Sequence, residues 1–153
     1  MSKQRKISDV MNVVKLVCLP PQTSVSSASR KMFETKVGAV MVTSGRQLLG
    51  IVTECDINRR VVALGRNSAI TLLSDIMTHD PDTLSPRDQI VEALDMMESN
   101  GYRHVPVEEK GAVIGIVSLR DLFHEVKQEL EQDIHEREEY MFGSGYSVPV
   151  YAH

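Results

Sequence analysis

Cysteine, positive charge and long apolar runs are all scarce in this chain, and each scarcity excludes something. Its 153 residues hold two cysteines, Cys18 and Cys55, too few for a disulfide framework; Cys18 stands in an apolar run where a buried, reduced thiol is expected. That usage fits a reducing compartment, the cytoplasm. Lys and Arg number 17 against 21 Asp and Glu, a formal charge of −4, which argues against a general binder of nucleic-acid phosphates. Any basic site has to be local. Apolar stretches such as Val37 to Val42 fall far below the roughly 18 residues of a membrane helix. The basic start, Met1 to Lys6, runs into Asp9, Asn12 and Lys15 rather than an apolar core, so no signal peptide is expected. With 42% apolar and 25% charged residues, the remaining composition is that of an ordinary globular domain able to bury a core unaided.

What the chain does have is one unit written twice. Gly50-Ile51-Val52-Thr53-Glu54-Cys55-Asp56 is echoed by Gly115-Ile116-Val117-Ser118-Leu119-Arg120-Asp121 at an offset of 65. The same offset carries Val25, Ala28 and Met32 onto Ile90, Ala93 and Met97, and Val40 and Val42 onto Val105 and Val107. At the front, Ser8-Asp9-Val10-Met11 matches Ser74-Asp75-Ile76-Met77 at an offset of 66, so a single one-residue indel relates the copies.

Each copy reads as strand, helix, strand, strand, helix. The first strand is expected at Lys15 to Leu19 and, more weakly, at Asp82 to Leu84. In the second copy Ser85-Pro86-Arg87-Asp88 offers an N-cap and a proline at the first helical position, ahead of Ile90, Ala93, Leu94 and Met97 at helical spacing; Gly101 closes that helix. Strands follow at Val37 to Val42 and Gln47 to Thr53, and again at Arg103 to Val107 and Ala112 to Ser118. About 60 residues rarely sustain a core alone, so the copies have to share one. The expected fold is α+β: two βαββα repeats, 7–65 and 73–131, joined by a linker at 66–72, packed about an approximate two-fold axis, with a helical extension and tail at 132–153. Clefts where the strand ends of one copy meet the other are the natural ligand sites.

The chemistry sits at the strand-to-helix turns, Thr53-x-x-Asp56 and Ser118-x-x-Asp121. A capping box explains either one, satisfying free N–H donors for about 0.5–2 kcal/mol. Its recurrence beside an expected cleft adds a second role, because a carboxylate there accepts hydrogen bonds from paired ribose hydroxyls and repels phosphate. Donors for a phosphate have to come from elsewhere. Arg59 and Arg60 lie one turn into the first copy's last helix, Arg103 and His104 open a strand before Val105-Pro106, which are expected to face the cleft and the ligand, and Arg120 adjoins Asp121. Each arginine also reads as a solvated surface residue, Arg60 as readily as a ligand contact, but Arg103 stands where the first copy has Gly38, a divergence the fold does not require.

These residues together resemble the cystathionine β-synthase (CBS) domain, and a tandem pair of such domains over roughly residues 7 to 131. The marks are Ser-Asp-Val/Ile-Met at the start of each copy, Arg103-His104-Val105-Pro106-Val107, and the Gly-x-x-Ser/Thr-x-x-Asp signatures ending at Asp56 and Asp121. The resemblance implies a non-enzymatic sensor binding AMP, ADP, ATP, NAD(H) or S-adenosylmethionine between the copies, AMP being the first choice, and signalling to a protein partner. It also implies that Asp56 and Asp121 hold ribose hydroxyls with Thr53 and Ser118 beside them, and that Arg103 and His104 lie near phosphate. In similar stand-alone pairs the first signature commonly reads Thr-Glu-Arg-Asp; Cys55 replaces that arginine here, and Val37-Gly38-Ala39 stands where the second copy has Tyr102-Arg103-His104, so the Asp56 cleft is expected to be poorer in cations and the Asp121 cleft, served by Arg103, the stronger. A scaffold protein with unoccupied clefts is the competing reading, and a small enzyme acting on nucleotides is a third.

Enzyme signatures are absent. Gly143-Ser144-Gly145 has no strand before it, and His124-Glu125 and His135-Glu136 lack the second histidine of a zinc-protease motif, with Gln128 and Glu139 in its place; no metal site is expected. Leu119, Leu122, Phe123, Val126, Leu130, Ile134 and Met141 form one helical stripe that runs past the second repeat. From Glu125 to Glu139 seven acidic residues accompany only Lys127 and Arg137, the composition of a solvated outer face. The end of the stripe needs a cover, so a homodimer is expected, with the apolar tail from Gly143 to His153 docking on a neighbour.

Overall fold

In a computed structural model that describes residues 5–142, both copies fold into the same succession of helices and hairpins. The first gives α1 (Ile7–Val10), β1 (Cys18–Leu19), α2 (Val25–Thr35), β2 (Ala39–Ser44), β3 (Gln47–Thr53) and α3 (Glu54–Ile57), which runs on into a π-helical turn at Asn58–Val62. The second gives α4 (Leu73–Ile76), β4 (Thr78–His79), α5 (Ile90–Asn100), β5 (His104–Glu109), β6 (Ala112–Ser118) and α6 (Leu119–Phe142). The mixed α+β class, the two repeats and the long C-terminal helix agree with the sequence reading. The expected docking of 143–153 lies outside the described residues.

The hairpins follow the alternation closely, and the local differences have local causes. β3 and β6 have the expected limits, whereas β2 and β5 begin one or two residues late and share a register shift at equivalent points, Val42/Thr43 and Val107/Glu108. The first strand is shorter than Lys15 to Leu19. Asn12 Oδ1 accepts the Lys15 N–H at 2.8 Å and Leu16 N–H donates to the Val13 carbonyl, so the chain is held in a turn until Cys18 and Leu19 pair with Met41 and Val42. In the second copy only Leu84 makes that parallel bridge, to Val107. Because β1 lies at a sheet edge, Cys18 is exposed rather than buried. The helix after Leu84 also starts later than the sequence suggested. Ser85 N–H donates to Asp88 Oδ2 at 2.7 Å, closing a turn, and α5 begins at Ile90 under the reciprocal Gln89–Glu92 box. Gly101 ends it at φ 74°.

The copies exchange their first segments. β4, from the start of the second copy, pairs with β3 to complete the sheet β1-β2-β3-β4, while Asn12 bridges Ile116 on the β5-β6 hairpin. The first core, built on Val25, Ala28, Val40, Val42 and Val52, is closed by Leu73, Ile76 and Met77. The second, built on Ala93, Val105, Val107, Val117 and Leu122, takes in Ile7, with Val10 and Met11 against it. A third cluster, Ala39, Met41 and Ile51 with Ile116, joins the two sheets. Neither repeat therefore contains its whole core, which meets the shortfall of a 60-residue unit.

The exchange explains the glycine of each Gly-Ile-Val. A Cβ at Gly50 would stand 2.6 Å from Met77 Sδ, and at Gly115 3.1 Å from Met11 Sδ; each glycine makes room for the methionine that closes its core. Arg60, read from sequence as either a surface or a ligand residue, donates to the Ile76 carbonyl at 2.8 Å and the Met77 carbonyl at 3.4 Å. It fastens the exchanged segment. At the equivalent position Glu125 pairs with Arg5, ahead of α1. On α6, Phe123, Leu130 and Ile134 remain more than half exposed among the described residues.

Candidate functional site

A cavity of about 190 Å³ opens where the end of β6 meets the other repeat. The second repeat contributes His104, Ile116, Ser118, Arg120 and Asp121; the first contributes Lys36, Val37, Gly38 and Ala39 from the turn into β2, and Asn12 and Lys15 from the crossing segment. Pseudo-symmetry thus makes the site composite. The carboxylate comes from one repeat and the facing wall from the other.

Ser118 ends β6 and holds the turn by accepting the Asp121 N–H at 3.1 Å, while its hydroxyl donates to Asp121 Oδ2 at 2.7 Å. Capping is therefore real here, as the local motif requires, but it occupies one carboxylate oxygen. Oδ1 makes no hydrogen bond among the described residues and can accept from a ligand. Asp56 keeps the same arrangement: its Oδ2 accepts both the Thr53 N–H at 2.9 Å and the Thr53 hydroxyl at 3.1 Å, and its Oδ1 likewise makes no hydrogen bond among the described residues.

His104 forms the cavity's inner wall. A Cβ on Gly38 would lie 3.3 Å from its Cε1 and Nε2, so glycine at 38 lets the first repeat's backbone approach the imidazole. Burial pushes the His104 pKa down, against the opposing pull of Glu54 and Asp121, and Arg103 lowers it further. The ring is neutral at pH 7, one nitrogen donating and the other accepting. The charged groups of the wall are then one carboxylate, Asp121, and three cations, Lys15, Lys36 and Arg120, none in an ion pair among the described residues. In a chain of net charge −4, this is the local basic site that the composition called for.

Of the residues singled out from sequence, Ser118, Asp121, His104 and Arg120 come together here. Thr53, Asp56 and Arg59 do not line this cavity and belong to the pseudo-symmetric side, with Arg59 exposed. Val105 is fully buried in the second core, and Pro106, also buried, bonds through its carbonyl to Leu84 N–H at 2.9 Å; neither is among the residues that line the cavity. Gly38 lines the Asp121 cavity and so does not impoverish the Asp56 side. By the repeat offset Arg103 answers to Gly38 and Asp56 to Asp121; Arg103 is exposed and is not among the residues lining the Asp121 cavity. Sequence reasoning missed Asn12, Lys15 and Lys36. The signal for Lys36 was available: one repeat offset on stands Gly101.

Among the described residues no three His, Cys, Asp or Glu side chains gather to hold a metal, and no helix is long and apolar enough to cross a membrane. His124 and His135 each bond one turn ahead, to Gln128 and Glu139 at 3.2 Å.

Comparison with known proteins gives two matches to the family described as CBS domain, over residues 7–63 and 73–128. The mitochondrial CBS domain-containing protein CBSX3 of Arabidopsis thaliana is 35% identical over 128 residues, covering 80% of this chain and 62% of that protein. The chain spans from about a quarter to three fifths of the length of the first curated relatives it matches. An uncharacterized conserved protein from Pyrococcus horikoshii superposes with a TM-score of 0.75 at 32% identity, over 82% of this chain and 95% of that one. The CBS domain pair of protein MJ0100, solved in complex with 5′-methylthioadenosine and S-adenosyl-L-methionine, shares the fold with a TM-score of 0.74 at 19% identity, over 83% of this chain and 99% of its own.

Proposed function

The chain belongs to the CBS domain family as a tandem pair of its repeats, and from that premise we propose that it is a non-enzymatic regulatory module that binds an adenosine nucleotide, AMP first, in the Asp121 cavity. The observation that carries this reading is the free Oδ1 of Asp121 in a composite pocket whose other charges are cations. Ribose hydroxyls suit the carboxylate, a base suits the apolar wall of Val37, Ala39 and Ile116, and a phosphate suits Lys15, Lys36 and Arg120. At about 190 Å³ the cavity is below the usual 300–1,000 Å³ of a small-molecule site and open to solvent, which favours a mononucleotide emerging at the lysines over a dinucleotide such as NAD(H).

The cavity wall is shared by both repeats, so a ligand there sets their relative packing and hence the surface offered to a protein partner. Residues 7–65 and 73–131 act as the two repeats about the 66–72 linker, and 132–153 extends them. We place the protein in a reducing compartment such as the cytoplasm, as a homodimer joined through the exposed apolar residues of α6.

Thermal denaturation with AMP, ADP, ATP, NAD(H), S-adenosylmethionine and guanine nucleotides tests the reading. A ligand at 100 times its Kd stabilises by about 2.7 kcal/mol. AMP is expected to give the largest shift; no shift with any adenosine compound contradicts the proposal and favours a scaffold with unoccupied clefts.

A further inference from the structure

Lys36 adopts a backbone that its side chain disfavours. It caps the C-terminus of α2 at φ 57°, ψ 44°, the left-handed region where a Cβ crowds the backbone and glycine is at ease. The second repeat uses glycine at the equivalent cap: Gly101 at φ 74° closes α5. The cap itself therefore does not ask for a lysine. Lys36 N–H bonds the Met32 and Phe33 carbonyls whatever its side chain, and its ammonium has no ion pair or hydrogen bond among the described residues. What the side chain does have is a place in the wall of the Asp121 cavity, at its exposed mouth.

We infer that Lys36 determines ligand specificity in the Asp121 cavity, reaching from the first repeat to bind the phosphate of a nucleotide whose ribose is held by the second. The inference rests on the nucleotide reading above. It adds a discrimination that the reading lacks. With Lys15 and Arg120 on the same wall, a phosphate dianion is attracted, uncharged adenosine gains nothing from the lysine, and the sulfonium of S-adenosylmethionine is repelled. Gly101 gives the Asp56 side no such cation at the equivalent point.

The test compares AMP with adenosine by titration calorimetry on Lys36→Gly and Lys36→Asn, both residues that accept a left-handed backbone. Lys110→Gly is the control, since Lys110 is also held at positive φ, 52°, but lies in the β5–β6 turn outside the cavity. Both Lys36 variants are expected to bind AMP about ten- to a hundredfold more weakly, the worth of a charge-assisted hydrogen bond. Adenosine affinity is expected to stay within twofold, and the ligand-free melting temperature to hold or rise. Lys110→Gly is expected to leave both affinities unchanged. AMP binding within twofold of wild type in both Lys36 variants, or equal losses for AMP and adenosine, overturns the role of Lys36 and leaves the nucleotide reading standing. Failure of wild type to bind either compound overturns both.

Discussion

The exchange of first segments predicts unequal consequences for two substitutions that the sequence makes look equivalent. Gly50 and Gly115 open the same motif one repeat apart. At Gly50 a new methyl group would meet Met77 Sδ at 2.6 Å, Met77 Cγ at 2.8 Å and the Thr78 carbonyl oxygen at 2.8 Å. At Gly115 the nearest atoms are Met11 Sδ at 3.1 Å and Met11 Cβ and Cγ at 3.4 Å, with no backbone atom among the three. A flexible methionine can yield a few tenths of an ångström, but the Thr78 carbonyl belongs to β4 and is held by pairing with β3. Neither glycine has positive φ, so alanine would also gain about 0.4–1 kcal/mol by restricting the unfolded chain. Overpacking costs about 1–3 kcal/mol. Gly50→Ala is therefore expected to destabilise by about 1–2.5 kcal/mol and Gly115→Ala by no more than about 0.5 kcal/mol, read as urea midpoints at constant m. In a Met77→Ala background the cost of Gly50→Ala should shrink without vanishing, because the carbonyl contact remains. Equal destabilisation by the two glycine variants, or full suppression by Met77→Ala, would refute the reasoning.

Further predictions follow from the site and from α6. The folded pKa of His104 is depressed below 6.5, so the unfolded chain binds the proton first and this residue's contribution to stability is lost as pH falls from 6.5 toward the folded value. His104→Gln should flatten that part of a urea-midpoint against pH curve, and an unchanged slope would contradict the assignment. Tyr102 donates to Asp82 Oδ2 at 2.7 Å, and burial together with Asp82 pushes its pKa up to about 12. Absorbance titration should show one tyrosine ionising near there, and Tyr102→Phe should remove that step. Sedimentation should give about twice 17.1 kDa, and truncation after Glu131 should leave a monomer. A full-length monomer at micromolar concentration would contradict the proposed dimer.

The repeat and its hairpins were legible because strand alternation and helical spacing are local signals, copied twice. The crossing of segments 7–11 and 73–77 between cores was not, since periodicity says which face of an element is apolar and nothing about which core it enters. The same blindness divided the site. Ser118 and Asp121 were read correctly as a turn, because their spacing is a property of the turn itself. The opposite wall comes from the other repeat, so Lys15 and Lys36 went unseen, and Arg103 was assigned to the carboxylate of its own copy. Comparing the copies at every conformationally special position would have helped. A lysine facing a glycine at a helix end, Lys36 against Gly101, says that one copy carries a side chain the fold does not need.

Titration calorimetry of AMP into wild type, Asp121→Ala and Asp56→Ala tests the account at its centre. If Asp121 only caps α6, its loss costs about 1 kcal/mol of stability and leaves affinity nearly untouched. If its free oxygen holds ribose hydroxyls, the loss of hydrogen bonds worth roughly 1.5–3 kcal/mol weakens AMP binding about ten- to a hundredfold. The account predicts the second result for Asp121→Ala and a smaller loss for Asp56→Ala, where Cys55 and Gly101 stand in place of Arg120 and Lys36. Unaltered affinity in Asp121→Ala, or a greater loss in Asp56→Ala, would contradict it.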